Sequence, residues 1–149
     1  MFNGSFDHAI DEKGRVSIPS RFREALQRAG HDRLYITKFM FDHERLLELF
    51  PPDEWEKVVT KFSGSRATDR DAQLFETFYI GGAHEVPVDR QGRILIPPKL
   101  REFARLGREV TFSAKHNRFE LWDKATLERV LNTAEENLQN PEFLAKINI

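Results

Sequence analysis

Near the start of the chain, the apolar and polar positions first follow the period of a strand and then that of a helix. Residues 6–10 and 15–18 have the pattern of two strands, and residues 11–14 between them have that of a tight turn. The glycine that ends this turn favours the positive φ that closes a hairpin. Pro19 has no N–H to donate, so it ends the second strand, and residues 20–29 then show helical spacing.

The rest of the chain predicts further strands and helices. Apolar runs predict strands near residues 34–39, 46–50, 110–114 and 118–122. Helical spacing predicts helices over residues 53–62 and 71–80, a helix whose first turn holds Pro98, and a long helix over residues 124–138. Ser63-Gly64-Ser65 is predicted to be a turn, and residues 140–149 a loose tail. This mixture of elements indicates an α+β protein.

An internal repeat organises the pattern. When the sequence is shifted by 78 residues, residues 11–26 align with residues 89–104, and seven of the sixteen positions are identical. The shared sequence begins with D-x-x-G-R-[VI]-x-I-P and continues into a helix with basic residues in its first turns. At a shift of 72 residues, Leu47-Glu48-Leu49-Phe50 aligns with Phe119-Glu120-Leu121-Trp122. The chain therefore holds two copies of one unit, made of a hairpin, a helix and a strand pair.

Each copy alone would have open sheet edges and little core, because a lobe of roughly 50 to 70 residues is only marginally stable. The copies are therefore expected to pair about a pseudo-two-fold axis, and apolar surface that stays exposed is expected to make the protein a homo-oligomer. The predicted division of the chain is repeat 1 over residues 5–52, linking helices over 53–80, repeat 2 over 81–124, and a C-terminal helix and tail over 125–149.

Composition narrows the classes of protein. The chain has 149 residues, of which 40% are hydrophobic and 32% charged, as is typical of a globular protein. No apolar run approaches the roughly 20 residues of a membrane span, and the N-terminal residues lack the pattern of a secretory signal. The absence of cysteine excludes disulfides and thiolate chemistry and fits a reducing compartment. These features predict a cytoplasmic protein with no membrane partner.

The net charge of -1 conceals an uneven distribution of charge. Residues 11–23 hold four basic against two acidic side chains, and residues 89–108 hold six against two. Residues 42–56 are instead strongly acidic. The two basic segments each contain one copy of the repeated motif, so the pattern indicates a basic face and a separate acidic one.

The repeated D-x-x-G-R motif has two readings that the residue pattern leaves open. In the structural reading, the aspartate bonds the backbone of its own turn and the arginine pairs with the aspartate. In the functional reading, the arginine contacts phosphate or DNA, because a helix N-terminus and several cations lie near it in each copy. The five histidines lack metal-ligand spacing, and no nucleophile or cofactor loop is recognisable. No metal, cofactor, small-molecule substrate or enzyme activity is therefore predicted.

In these motifs the chain resembles the MraZ family, a branch of the AbrB-like swapped-hairpin transcription factors. The resemblance covers nearly the whole chain and rests on residues 2–6, 11–15, 48–51 and 89–93, together with the Ile-Pro that ends each hairpin. It implies two tandem AbrB-like units in a pseudo-symmetric double-hairpin barrel, assembled into a ring-shaped homo-oligomer, an octamer or larger. It also implies a nucleoid-associated regulator of transcription, often a repressor, that binds direct repeats in double-stranded DNA upstream of the division and cell-wall gene cluster.

The resemblance further implies that the D-x-x-x-R motif contacts DNA. The DNA-binding candidates are basic side chains in or just after the two motifs: Arg15, Arg93, Lys13, Arg21, Arg90 and Lys99. The turn-shaping candidates are Asp11, Gly14, Asp89 and Gly92. The copies differ where Arg90-Gln91 replaces Glu12-Lys13, so the two loops need not bind alike. The alternative is an oligomeric interaction scaffold or antitoxin-like partner, which would hold another protein through the acidic residues 42–56 or the C-terminal tail.

Overall fold

The helices and strands alternate much as the sequence pattern indicates. The structure is a computed structural model, and it describes residues 2–62 and 69–148. The first copy and the region after it contain β1 (Ser5–Ala9), β2 (Arg15–Ser17), α1 (Ser20–Arg28), β3 (Arg33–Phe41), β4 (Glu44–Phe50), α2 (Pro52–Lys61) and α3 (Arg70–Tyr79). The second copy and the region after it contain β5 (His84–Pro87), β6 (Arg93–Leu95), α4 (Pro98–Phe103), β7 (Glu109–Ala114), β8 (Phe119–Asp123), α5 (Lys124–Leu138) and α6 (Pro141–Ile147).

The predicted strands and helices are confirmed to within a few residues, but the prediction of a loose tail is wrong. The tail contains α6, which begins at Pro141, and the side chain of Asn140 caps it by accepting a hydrogen bond from the N–H of Glu142 at 2.9 Å. Ser63-Gly64-Ser65, predicted to be a turn, lies outside the described residues. None of the described helices has both the length and the apolar character needed to cross a membrane.

Strand pairing crosses between the two copies. A six-stranded antiparallel sheet has the order β1-β7-β8-β4-β3-β5, and β2 and β6 form a separate two-stranded ribbon. Phe6 of β1 lies opposite Phe112 of β7, and Leu34 of β3 lies opposite Val86 of β5. The expectation that each motif joins two strands of one local hairpin is therefore wrong, because the turn leads from one sheet to the other. The exchange satisfies edges that a single copy would leave open.

A pseudo-two-fold axis relates the copies at two places. In the ribbon, Val16 lies opposite Ile94, which is its own equivalent at the 78-residue shift. In the large sheet, Glu48 of β4 lies opposite Glu120 of β8, its equivalent at the 72-residue shift. The two repeat shifts thus correspond to two places where the chain pairs with its own duplicate. The tandem repeat folds as one unit with a shared sheet.

The main hydrophobic core joins the ribbon to the large sheet. Val16 and Ile94 point inward from the ribbon and are each 1% exposed. They belong to one cluster with Phe22 of α1, Leu100 of α4 and Phe119 of β8. The rings of Phe22 and Phe119 stack with their centroids 5.0 Å apart. This packing fixes the ribbon against the sheet and leaves its other face free for a different use.

The opposite face of the large sheet carries two buried glutamates. Glu48 and Glu120 are 2% and 7% exposed. Glu48 accepts hydrogen bonds from the hydroxyl of Tyr79 and from Nε of Arg118, the latter at 3.0 Å. Glu120 accepts one from Nε1 of Trp122 at 3.1 Å. Burial raises the pKa of the Glu120 carboxyl above its ordinary value.

Replacing Glu120 with glutamine is expected to stabilise the protein at neutral pH. Because the pKa of Glu120 is higher in the folded state than in the unfolded state, the free energy of unfolding falls as pH rises from the unfolded value through the folded one. Glutamine carries no charge, and its carbonyl oxygen can still accept the hydrogen bond from Trp122, so Glu120→Gln avoids this loss. In thermal melting from about pH 4 to pH 8, the melting temperature of the variant should rise relative to that of wild type as pH increases. Equal melting temperatures of the two proteins at pH 8 would contradict a raised pKa of Glu120.

Candidate nucleic-acid interface

The first D-x-x-G-R turn is built around the carboxylate of Asp11. One of its oxygens accepts hydrogen bonds from the backbone N–H groups of Lys13 and Arg15, both at 2.9 Å. The other oxygen accepts from Nε of Arg15 at 2.9 Å. Gly14 completes the turn with a φ of 86°, and its N–H donates to the carbonyl of Asp11 at 3.0 Å. A single carboxylate therefore holds the backbone of the turn and the guanidinium of Arg15 together.

The second turn repeats this geometry around Asp89. Its carboxylate accepts from the backbone N–H groups of Gln91 at 2.8 Å and Arg93 at 2.9 Å, and from Nε of Arg93 at 3.1 Å. The backbone N–H groups of Arg15 and Arg93, more than the guanidinium groups, hold the pKa values of Asp11 and Asp89 below their ordinary value. Both carboxylates therefore remain ionised, and keep their arginines in place, to a lower pH than a free aspartate.

Both motif arginines lie on the outer face of the ribbon. Arg15 is opposite Leu95, and Ser17 is opposite Arg93. The residue between Arg15 and Ser17 on one strand, and the residue between Arg93 and Leu95 on the other, point into the core. Because side chains alternate along a strand, the four residues that flank them lie on the same outer face. Strand geometry separates the Cα atoms of Arg15 and Arg93 by about 7 Å along the strands and about 5 Å across them. The two guanidinium groups therefore act from one narrow surface.

The aspartates leave the Nη atoms of both guanidinium groups available for other contacts. Arg15 and Arg93 are bound through Nε, and their side chains are 36% and 32% exposed. Across the described ranges, neither residue's Nη atoms have a hydrogen-bonding partner within the chain. Two Nη groups in one plane match the paired acceptors of a phosphate or of the major-groove edge of guanine. The structural and functional readings of the motif are thus compatible, because the aspartate uses one side of the guanidinium and leaves the other.

Two further arginines, from the helices, reach across to the turns of the opposite copy. Arg23 of α1 donates from Nη2 to the carbonyl of Arg90 at 2.6 Å, and its side chain lies against Gly92. Arg101 of α4 is the equivalent of Arg23 at the 78-residue shift, and its Nη1 lies near Gly14. Neither was among the predicted DNA-binding residues. Their signal in the sequence is that the arginine is identical in both copies.

The other predicted binding residues lie in the two turns and at the starts of the two helices that follow the ribbon strands. Lys13 and Arg90 are exposed within the two turns, while Arg21 and Lys99 are exposed in the first turns of α1 and α4. The structure thus shows that these four side chains, which are close to the motif arginines in the sequence, are exposed. What they bind stays a prediction.

Valine in place of either turn glycine is expected to lower the free energy of unfolding by at least about 1 kcal/mol, because a β-branched residue resists positive φ. The loss should be larger for Gly92→Val, since an added Cβ would meet Cδ of Arg23 at 2.8 Å, whereas at Gly14 the nearest atom is 3.6 Å away. Thermal melting measures both. Gly30→Val is the matched control for the steric contact. Gly30 also has a positive φ, 76°, but nothing lies within 4 Å of the added Cβ, so this variant should show the loss that comes from φ alone. Unchanged melting in both turn variants would mean that the turns are not formed.

The acidic residues 42–56 do not form one exposed face. Glu48 is buried against Arg118, and Glu44 pairs with Arg129 at 2.9 Å. Glu54 pairs with Lys57 at 3.1 Å. These internal pairings reduce the acidic surface that a partner protein could bind. In the part of the chain that the structure describes, no group of three or more histidine, aspartate or glutamate side chains could hold a metal ion.

The fold and this face define a class of protein: a tandem-repeat α+β protein whose copies exchange strands and present two anchored arginines on a β-ribbon. A family model described as "MraZ protein, putative antitoxin-like" matches residues 1–78 and 79–145. The chain is 40% identical to a transcriptional regulator MraZ of Desulforamulus reducens, over 93% of each chain. It is 35% identical to one of an Anaeromyxobacter species, over 99% of this chain and 100% of the relative. The chain belongs to the MraZ family.

Proposed function

We propose that this protein is a DNA-binding regulator of transcription whose ribbon face contacts the DNA duplex. The observation that carries the proposal is the pair of guanidinium groups, Arg15 and Arg93, each held through Nε by an aspartate on the outer face of one ribbon. A two-stranded ribbon fits the major groove, which is about 12 Å wide. Its relatives are named transcriptional regulators, which agrees with this use of the face.

The contacts fall into two kinds. Arg15 and Arg93 are proposed to read base edges, because an arginine oriented by a carboxylate can present both Nη groups to one guanine. Lys13, Arg21, Arg90 and Lys99 are proposed to contact phosphates, since exposed cations beside the ribbon can follow the backbone without selecting a sequence. Asp11, Gly14, Asp89 and Gly92 shape the turns that carry the arginines. Base contacts set specificity, and phosphate contacts set the salt dependence.

The proposed site of action is a promoter with direct repeats, upstream of the protein's own operon in the division and cell-wall gene cluster, in the nucleoid of a bacterial cytoplasm. One ribbon offers few cations and binds weakly alone. Several ribbons on a ring-shaped homo-oligomer, an octamer or larger, would bind repeated sites with a high effective concentration. A promoter occupied in this way is closed to polymerase, so the proposed effect is repression.

The purified protein is expected to be a homo-oligomer larger than a dimer. Large apolar side chains are exposed on separate elements, among them Phe41 at 54%, Leu74 at 54% and Leu131 at 51%. Their burial between subunits would remove apolar surface from water. Light scattering at micromolar concentration measures the mass. A single species near the chain mass of 17.4 kDa would contradict both the ring and the proposed avidity.

The test of the proposed function is binding to a duplex taken from upstream of the protein's own coding region. We expect a footprint on a repeated sequence, with an affinity that falls steeply as salt rises, because each phosphate contact releases counterions. A scrambled duplex of equal length is the control. Binding that is equal on both duplexes would remove sequence-specific regulation. Absent salt-dependent binding, together with co-purification of a protein partner, would favour the scaffold or antitoxin-like alternative.

A further inference from the structure

The outer face of the ribbon departs from its own pseudo-symmetry at one pair of positions. Ser17 and Leu95 are equivalent at the 78-residue shift, yet one is a small hydroxyl residue and the other a leucine that is 54% exposed. Each lies opposite a motif arginine, with Leu95 beside Arg15 and Ser17 beside Arg93. The two ends of the ribbon therefore present the same arginine next to different neighbours.

Leu95 is not needed for the core. The residues on either side of it, Ile94 and Ile96, are each 1% exposed and supply the inward-facing contacts of this strand. Leu95 instead lies over the first turn, where its Cδ1 is 3.6 Å from the position a Cβ on Gly14 would take. Leaving most of a leucine in water loses the free energy that its burial would provide. An exposed leucine on this face thus has an unused apolar surface within reach of whatever Arg15 contacts.

The charges around Leu95 favour DNA over a second copy of the chain as the molecule that covers it. Arg15 and Arg101 lie beside the same turn. Among the described residues, Arg15 forms an ion pair with Asp11 alone, and Arg101 forms none. A protein surface placed over Leu95 would bury these cations and must neutralise them. The DNA major groove offers phosphates to the cations, and at every thymine it also offers an apolar 5-methyl group.

Resting on the proposed function, we propose that Leu95 is a specificity-determining residue that packs against the 5-methyl group of a thymine next to the base read by Arg15. Ser17, at the other end, offers only a hydroxyl, which can bond to several bases and has no preference for a methyl group. The ribbon then reads two unlike half-sites. Each subunit acquires a direction on the duplex, although its ribbon pairs two equivalent strands.

The experiment compares wild type, Leu95→Ser and Ser17→Leu on a duplex that wild type selects from a random pool. Each thymine is replaced in turn by deoxyuridine, which lacks only the 5-methyl group. For wild type, we expect one position in each bound repeat to weaken binding by about fourfold, the value of one buried methyl group. Leu95→Ser should bind the thymine and deoxyuridine duplexes equally, with an unchanged dependence on salt. Ser17→Leu should gain sensitivity at a second position, on the other side of the site.

Leu138→Ser is the matched control, because Leu138 is a comparably exposed leucine, 48%, in the last turn of α5. It should keep the wild-type response to deoxyuridine. The inference is overturned if no thymine position affects wild type, if the response survives in Leu95→Ser, or if Leu95→Ser changes the oligomer mass, which would make Leu95 a contact between subunits. In those cases the wild-type protein still binds the duplex. Loss of salt-dependent binding by wild type itself is the separate result that would remove the proposed function.

Discussion

The double variant Arg15→Ala, Arg93→Ala is expected to bind its operator about a hundredfold more weakly than wild type, or worse, with an unchanged fold and oligomer mass. One base-reading arginine is worth about 1 to 3 kcal/mol, and the two lie on separate ends of the ribbon, so their losses should add. Each arginine pairs with an aspartate whose side chain is about 40% exposed, and neither belongs to the hydrophobic core, so melting should change little. Every subunit carries both changes, which multiplies the loss at a repeated site.

Gel shifts measure this effect, and two matched variants separate its causes. Arg70→Ala removes an arginine of α3 whose side chain is 83% exposed, far from the motifs in the sequence, and should bind like wild type. Lys13→Ala removes a cation of the turn and should weaken specific and non-specific duplexes alike while reducing the salt slope by about one. Wild-type affinity in the double arginine variant would leave the motif with a structural role only.

An operator with altered spacing tests the same mechanism from the DNA side. If ribbons on one rigid assembly contact successive repeats, the repeats must face the same side of the duplex. Inserting about half a helical turn, roughly 5 base pairs, between repeats should reduce affinity to nearly that of a single repeat. Inserting a full turn should restore much of it. Equal affinity for both insertions would mean that the subunits bind the repeats independently.

Arg118→Ala is expected to lower the free energy of unfolding by about 3 kcal/mol. Glu48 is 2% exposed, and Nε of Arg118 is its cationic partner at 3.0 Å. Removing one member of a buried ion pair leaves the other charged and unpaired, which costs more than the pair contributes. Thermal or urea unfolding measures the loss. Arg129→Ala, which breaks the more exposed pair with Glu44, should cost less than about 1 kcal/mol.

The combined variant Arg118→Ala, Glu48→Gln shows whether the lost charge is the cause. Glutamine removes the unpaired negative charge and can still accept a hydrogen bond from the hydroxyl of Tyr79. We expect it to recover more than half of the lost stability. If it recovers none, the loss comes instead from the packing of the arginine over the ring of Phe50, whose centroid is 5.7 Å from its Cζ.

The strands themselves were predictable from the sequence, but their partners were not. In a segment such as residues 6–10, alternating apolar and polar side chains indicate a strand with one buried face. This alternation does not indicate whether the neighbouring strand is formed by residues 15–18, nearby in the chain, or by residues 109–114, in the other copy. The choice depends on which edges are still open after both copies are folded. The repeat indicated that the copies would pair, without the exchange of strands.

The candidate site was partly predictable for a similar reason. The D-x-x-G-R spacing identifies Arg15 and Arg93, because an aspartate can bond the residues two and four positions after it within one turn. The bracing by Arg23 connects residues far apart in the sequence, so only the folded chain reveals it. Glu48 was counted with the acidic residues 42–56, for which the charge pattern predicted an acidic face. Here Trp55, Tyr79 and Phe50 pack together on the face of the sheet that carries Glu48 and bury it.

The crossed strands also set the order of events while the chain is being synthesised. Phe6 is synthesised early, but its partner Phe112 is synthesised late. In the same way, β4 is synthesised before its partner β8. Arg15 and Arg93 have both been made before either of these strands is available. A nascent chain therefore holds the two arginines before it holds the sheet that orients the ribbon. Under the proposed function, a ribosome that stops short of β8 releases a product with both arginines and no operator affinity.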